Sequence, residues 1–152
     1  MRTRLAIILL VATASLPVVL MGASAQQLPN AVDLRAAYCL QVSQHNVGQL
    51  IGPPVDGEMP EATKQVLANT LEKARSNVRR LQLYLVPRIP QLDAFAISAA
   101  TKSGDEDSAL ADRDLAQCYS TCQIADCFNK CSANSAAVAK VRGCNDLSFL
   151  PF

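Results

Sequence analysis

Fourteen residues near the C-terminus hold four of the chain's six cysteines, in the order Cys118-Tyr119-Ser120-Thr121-Cys122-Gln123-Ile124-Ala125-Asp126-Cys127-Phe128-Asn129-Lys130-Cys131. They form two C-x3-C pairs. On a helix, residues four apart share a face, so each pair points one way. A helix unbroken from Cys118 to Cys131 would set the second pair about half a turn round from the first. The sulfurs would then face opposite directions, with only Cys39 and Cys144 left to partner them. A break at Gln123–Asp126 removes the conflict. Asp126 suits the N-cap of a new helix, and a short connection suits an αα-hairpin.

The apolar pattern agrees. Ala111, Leu115, Cys118 and Cys122 form a stripe before the break, and Cys127, Cys131, Asn134, Val138 and Val141 form one after it. An antiparallel hairpin brings these stripes face to face. The pairing it favours is Cys122–Cys127 near the turn and Cys118–Cys131 one turn out, leaving Cys39–Cys144 to tie the first helix to the tail. Six cysteines allow about 15 connectivities, so geometry ranks this pairing without dictating it. The competing reading is a metal site in which the thiolates of Cys118, Cys122, Cys127 and Cys131 hold a soft ion, Cu(I) or Zn(II), or do redox chemistry. Structural zinc sites usually use C-x2-C knuckles, which are absent here, as are the thioredoxin-like C-x-x-C and the haem-attaching C-x-x-C-H.

The N-terminus reads as an export leader. Met1-Arg2-Thr3-Arg4 is basic, Leu5–Met21 is apolar, and Gly22-Ala23-Ser24-Ala25 ends in an A-x-A cleavage pattern. Residues 1–25 are therefore expected to be a secretory signal peptide, and residues 26–152 one domain in the periplasm or outside the cell. Pro17 and the A-x-A site weigh against an uncleaved anchor. An even cysteine count in an exported chain reads as a disulfide framework. Lys and Arg number 14 against 13 Asp and Glu, and the leader takes Arg2 and Arg4 with it. This near-neutral balance gives no electrostatic case for nucleic acid or an acidic membrane as partner. No later apolar run is long enough to span a membrane.

Helical signals follow in order. Asn30 can cap a helix over 31–51, with Asp33 in its first turn and Leu34, Tyr38, Val42 and His45 on its apolar face; Gly52-Pro53-Pro54 ends it. Residues 55–59 read as a linker. Pro60 opens a second helix, in which Leu67, Leu71, Ala74, Val78, Leu81 and Leu85 recur with helical spacing. Its other face carries Lys64, Glu72, Lys73, Arg75, Arg79 and Arg80 and reads as solvated. Pro87 and Pro90 stop it. Asp93 can cap a short helix over 94–102, ended by Gly104. Asp105-Glu106-Asp107 then reads as the acidic first turn of the hairpin's first arm, 105–122; the second arm would run over 126–142, with Gly143 as its stop. In the apolar tail, Cys144 would pin Leu147, Phe149 and Leu150 against the bundle. The sharper alternative is a tail that binds a protein partner. The fold expected is all-α, a small disulfide-stapled helical bundle with a C-terminal αα-hairpin.

Catalytic signals are sparse. His45 is the single histidine, and Ser43, Gln44 and Asn46 form no recognised arrangement with it. Asp105, Glu106, Asp107, Asp112 and Asp114 lack the register of an EF-hand loop. No phosphate loop, nucleophile elbow or H-E-x-x-H is present, and no motif calls for a cofactor. The expected function is a non-enzymatic exported module that binds a partner or serves the cell envelope, with thiol-based metal or redox chemistry as the alternative. An enzyme site assembled from distant residues would need a cleft joining His45 to a carboxylate.

Overall fold

A computed structural model of the chain describes residues 26–51, 59–123, 127, 130, 131, 133 and 135–152. The expected leader, most of the 55–59 linker, and Asp126 with its proposed cap lie outside these. The described residues form helices α1 (Ala31–Leu50), α2 (Glu61–Leu85), α3 (Ala94–Tyr119) and α4 (Ala136–Arg142), with 3-10 turns at Ile89–Gln91 and Gly143–Asn145. Cys127, Lys130, Cys131 and Ala133 are also helical. The fold is an all-α, disulfide-stapled bundle, and α1 packs against both α2 and α3.

The caps follow from side-chain chemistry. The Asn30 side chain accepts from the Asp33 N–H at 2.9 Å, and Asp33 Oδ2 accepts from the Asn30 N–H at 3.1 Å, a reciprocal capping box. Asp93 caps α3 by accepting from the Ala96 N–H. Pro60 precedes α2 as expected, and a 3-10 turn containing Pro90 follows its end.

Several expectations need correction. Gly104 does not end a helix; it lies inside α3, so the short helix over 94–102 and the first hairpin arm are one element. The reason is tertiary. Gly104, Ser108 and Ala111 are buried along one face of α3, and a Cβ on Gly104 would lie 2.6 Å from the backbone oxygen of Tyr38 in α1. The helices approach so closely that only hydrogen fits. Asp105, Glu106 and Asp107 are accordingly mid-helix rather than a first turn. The second hairpin arm is not one helix to Arg142 either, because Ser135 caps α4 afresh through the Val138 N–H. The buried face of α1 is centred on Ala36, Ala37, Cys39 and Val42, with Leu34, Tyr38 and His45 on its half-buried flanks. In α2 only Leu81, Tyr84 and Leu85 are buried, and the rest of the expected seam is half-exposed.

The main core joins Ala36, Ala37, Cys39 and Val42 of α1 to Leu81, Tyr84 and Leu85 of α2 and to Cys144, Leu147 and Leu150 of the tail. Each fully buried Leu or Val side chain contributes about 1.5–3 kcal/mol. The tail thus fills the core, and Arg35 stacks over the Phe149 ring at 4.2 Å. A second cluster, Ala111, Ala137 and Val138 with Leu115 and Val141 against it, shows that the apolar stripes before and after the turn do meet. The structure carries three disulfides, Cys39–Cys144, Cys118–Cys131 and Cys122–Cys127.

Asp33 is 2% exposed and ties the start of α1 to the end of α2. Its Oδ1 accepts from the Tyr84 hydroxyl at 2.9 Å and from Arg88 Nε at 3.0 Å. Burial pushes its carboxyl upward, but the hydrogen bonds from Tyr84, Asn30 and Arg88, with the Arg88 charge, outweigh burial and hold it below the usual value. Burial, then the bond to Asp33, raises the Tyr84 phenol.

Two predictions follow from this packing. Gly104→Ala should lower stability by about 1–3 kcal/mol in urea unfolding, the usual cost of overpacking. Gly48→Ala, where a Cβ meets nothing within 4 Å, should instead raise it by about 0.5–1 kcal/mol; equal effects would refute the close-approach account. A depressed carboxyl stabilises the fold above the unfolded-state value, about 3.9 for Asp, and that contribution is lost as pH falls through the lower folded value. The unfolding midpoint should therefore drop on acidification below about pH 4. Asp33→Ala should remove that part of the pH dependence and cost about 1–3 kcal/mol at neutral pH, because the Tyr84 hydroxyl loses its acceptor.

Candidate functional site

Polar side chains join α1 to α3 along their parallel course. The Tyr38 hydroxyl donates to Asp107 at 3.0 Å, Gln41 to Asp105 at 3.1 Å, and Gln49 to Asp112 at 3.2 Å. His45 Nε2 lies 2.6 Å from Asp112 Oδ2, where an imidazole N–H donates to the carboxylate. Burial, then the bond to Asp107, raises the Tyr38 phenol well above its ordinary value. Lys140 of α4 pairs with the same Asp107, and the Ser135 hydroxyl donates to Asp114. The acidic residues are therefore interhelical fasteners.

Past this ladder a cleft of about 570 Å³ opens between the end of α1 and the middle of α2. Helical spacing builds its walls. Asn46, Gln49 and Leu50 share one face of α1, and Asn69, Lys73 and Asn77 recur every four residues along α2, with Thr70 and Ala74 beside them. Asp112 enters from α3 and Asn145 from the turn that Cys144 anchors to α1. Asn46, Asp112 and Asn145 also line a smaller neighbouring cavity of about 170 Å³. The reason for the opening is in the sequence of α2. Its last turns present Leu81, Tyr84 and Leu85 to α1, whereas its middle turns present carboxamides, Thr70 and Ala74, which leave the space polar and unfilled.

Among the described residues, five carboxamides thus converge with one cation, Lys73, and one carboxylate, Asp112. Carboxamides both donate and accept, so the cleft can satisfy a ligand with mixed hydrogen-bonding groups. Lys73, read from the sequence as part of a solvated basic face, is exposed and also borders this cleft. His45 does meet a carboxylate, Asp112, which itself lines the cleft. The hydrogen-bond partners of His45 among the described residues are Asp112 and Gln49, a carboxylate and a carboxamide, neither of them a hydroxyl or a thiol. A triad built on a hydroxyl or thiol nucleophile would need a group that this contact set does not contain.

The cysteine cluster lies elsewhere, at the C-terminal end of α3, which contributes Cys118, and just beyond it. The sulfurs of Cys118, Cys122 and Cys131 lie within 4.8 Å of one another. All six cysteines are disulfide-bonded, so metal ligation by this cluster would first require reduction to thiolates. The cleft residues escaped the sequence reading because single Asn and Gln residues on helix faces carry no motif. The four-residue recurrence of Asn69, Lys73 and Asn77 was the one available signal.

No known family matches the chain, and no curated protein or solved structure is significantly similar to it.

Asp112→Ala should change stability by less than about 1 kcal/mol, since the pair is partly exposed. It should also abolish a hydrogen-bonded imidazole Nε2 proton signal from His45 in NMR spectra. Persistence of that signal would show that His45 is held by another group.

Proposed function

We propose that the chain is an exported, non-enzymatic binding protein whose α1–α2 cleft takes a small, net-neutral polar solute, an amino acid or a short peptide. The observation that carries this reading is the convergence of five carboxamides, Lys73 and Asp112 on one cleft. Lys73 suits a ligand carboxylate and Asp112 a ligand ammonium, while the carboxamides suit amide groups. Among the described residues no aromatic ring lines the cleft, so the described walls offer no stacking platform of the kind that commonly holds a sugar ring. Export is supported by the leader-like residues 1–25 and by the three disulfides, which suit an oxidising compartment. Among the described residues, no helix is long and apolar enough to cross a membrane. A periplasmic or extracellular location follows from that reading.

A panel of amino acids, dipeptides and neutral sugars, read by thermal shift and then by calorimetry, tests the proposal. Amino acids or dipeptides should raise the melting temperature and sugars should not. Asn69→Leu with Asn77→Leu should weaken binding at least about tenfold, the equivalent of about 1.4 kcal/mol, with the melting temperature of the free protein little changed. A panel without any binder would overturn the reading.

A further inference from the structure

The two disulfides at the end of α3 are close neighbours. Cys122 Sγ, bonded to Cys127, lies 3.4 Å from Cys131 Sγ, which is bonded to Cys118. Cys131 is buried at 3% exposure, whereas Cys118, Cys122 and Cys127 are half-buried. Beside the Cys118–Cys131 bridge an open groove of about 380 Å³ is lined by Asp114, Gln117, Cys118, Thr121, Cys131 and Ser135. An outside thiol thus has a route to the more exposed sulfur of one bridge, and the buried sulfur of that bridge already touches the next.

We propose that this pair is a thiol–disulfide relay that accepts two electrons from a dithiol and passes the bridge inward. The reaction follows from which sulfur is accessible and which leaves. A thiolate of the dithiol entering the groove attacks Cys118 Sγ. A mixed disulfide forms there, and the Cys118–Cys131 bond breaks, releasing Cys131 as thiolate. Cys131 Sγ attacks Cys122 Sγ at the 3.4 Å contact; the Cys122–Cys131 bond forms and Cys127 leaves as thiolate, taking up a proton. The second thiol of the dithiol then attacks its own mixed-disulfide sulfur and frees Cys118, which is likewise protonated. The dithiol has become a disulfide, and the protein has gained two thiols, on Cys118 and Cys127, with Cys122–Cys131 as its bridge. Cys39–Cys144 takes no part, because both sulfurs are sealed in the core. The relay needs only the sulfur cluster and does not depend on the α1–α2 cleft.

The test is mapping of the first two-electron product. The oxidised full-length protein is titrated at neutral pH with substoichiometric dithiothreitol, quenched in acid, alkylated and digested under conditions that preserve disulfides. The relay predicts alkyl groups on Cys118 and Cys127 and a peptide cross-linked through Cys122–Cys131. Alkylation of Cys118 with Cys131, or of Cys122 with Cys127, with the other native bridge intact, would mean simple independent reduction and would overturn it. Cys127→Ser gives a second reading without added reductant. Its freed Cys122 thiolate should exchange onto Cys131, so alkylation should divide between Cys122 and Cys118. Alkylation at Cys122 alone in the folded variant would also overturn the relay, and the wild-type mapping decides the matter if the variant does not fold.

Discussion

The bridge between Cys39 and Cys144 sets the arrangement of everything else. Its partners lie 105 residues apart, and both sulfurs sit in the core at 1–2% exposure. In the chain-entropy model a loop of this length is worth about 4.7 kcal/mol against the unfolded chain. Its structural consequence is larger than its energy. It fastens the end of α4 to the middle of α1, which brings Leu147 and Leu150 into the core beside Leu81 and Leu85. It also places Asn145 at the mouth of the cleft. The tail, the third wall of the core and one polar contact of the candidate site all follow from one covalent tie.

Around that tie, α1 is held differently on its two sides. Toward the end of α2 the contact is apolar, closed by the buried carboxylate of Asp33 with Tyr84 and Arg88. Toward α3 the contact is a close approach of small residues, flanked by hydrogen bonds from Tyr38, Gln41, His45 and Gln49. The small residues allow the backbones to meet, and the flanking polar groups fix the register. Where neither device operates, between the later part of α1 and the middle of α2, the helices enclose a cleft lined with carboxamides. The binding reading thus rests on the part of the bundle that the core leaves unfilled.

The sulfur cluster shows how much a local pattern can reveal. The two C-x3-C pairs and the pairing across the turn depend on helical periodicity and on residues within one hairpin, so they were legible in the sequence; α3 ends at Tyr119, ahead of the expected break at Gln123–Asp126, most of which lies outside the described residues. The contact between Cys122 and Cys131, which makes the two bridges one chemical unit, was not legible. It depends on the precise stacking of one disulfide on the other. The same limit governed His45. Its neighbours in sequence form no arrangement, and its partner Asp112 lies 67 residues away on another helix.

The sequence by itself determined the class of fold, the caps at Asn30 and Asp93, the start of α2 at Pro60 and a favoured pairing of the cysteines, because these are set by backbone propensity and by spacing along a single element. Tertiary structure decided that Gly104 lies inside a helix rather than ending one, that Ser135 restarts the last helix, and that the buried face of α1 runs through Ala36 and Ala37 rather than Leu34. It also decided that polar residues from four segments line one cleft. Each of these depends on how far one helix is rotated and how closely it approaches its neighbour. Steric fit between side chains distant in sequence sets those quantities, and a one-dimensional pattern of apolar residues does not contain it.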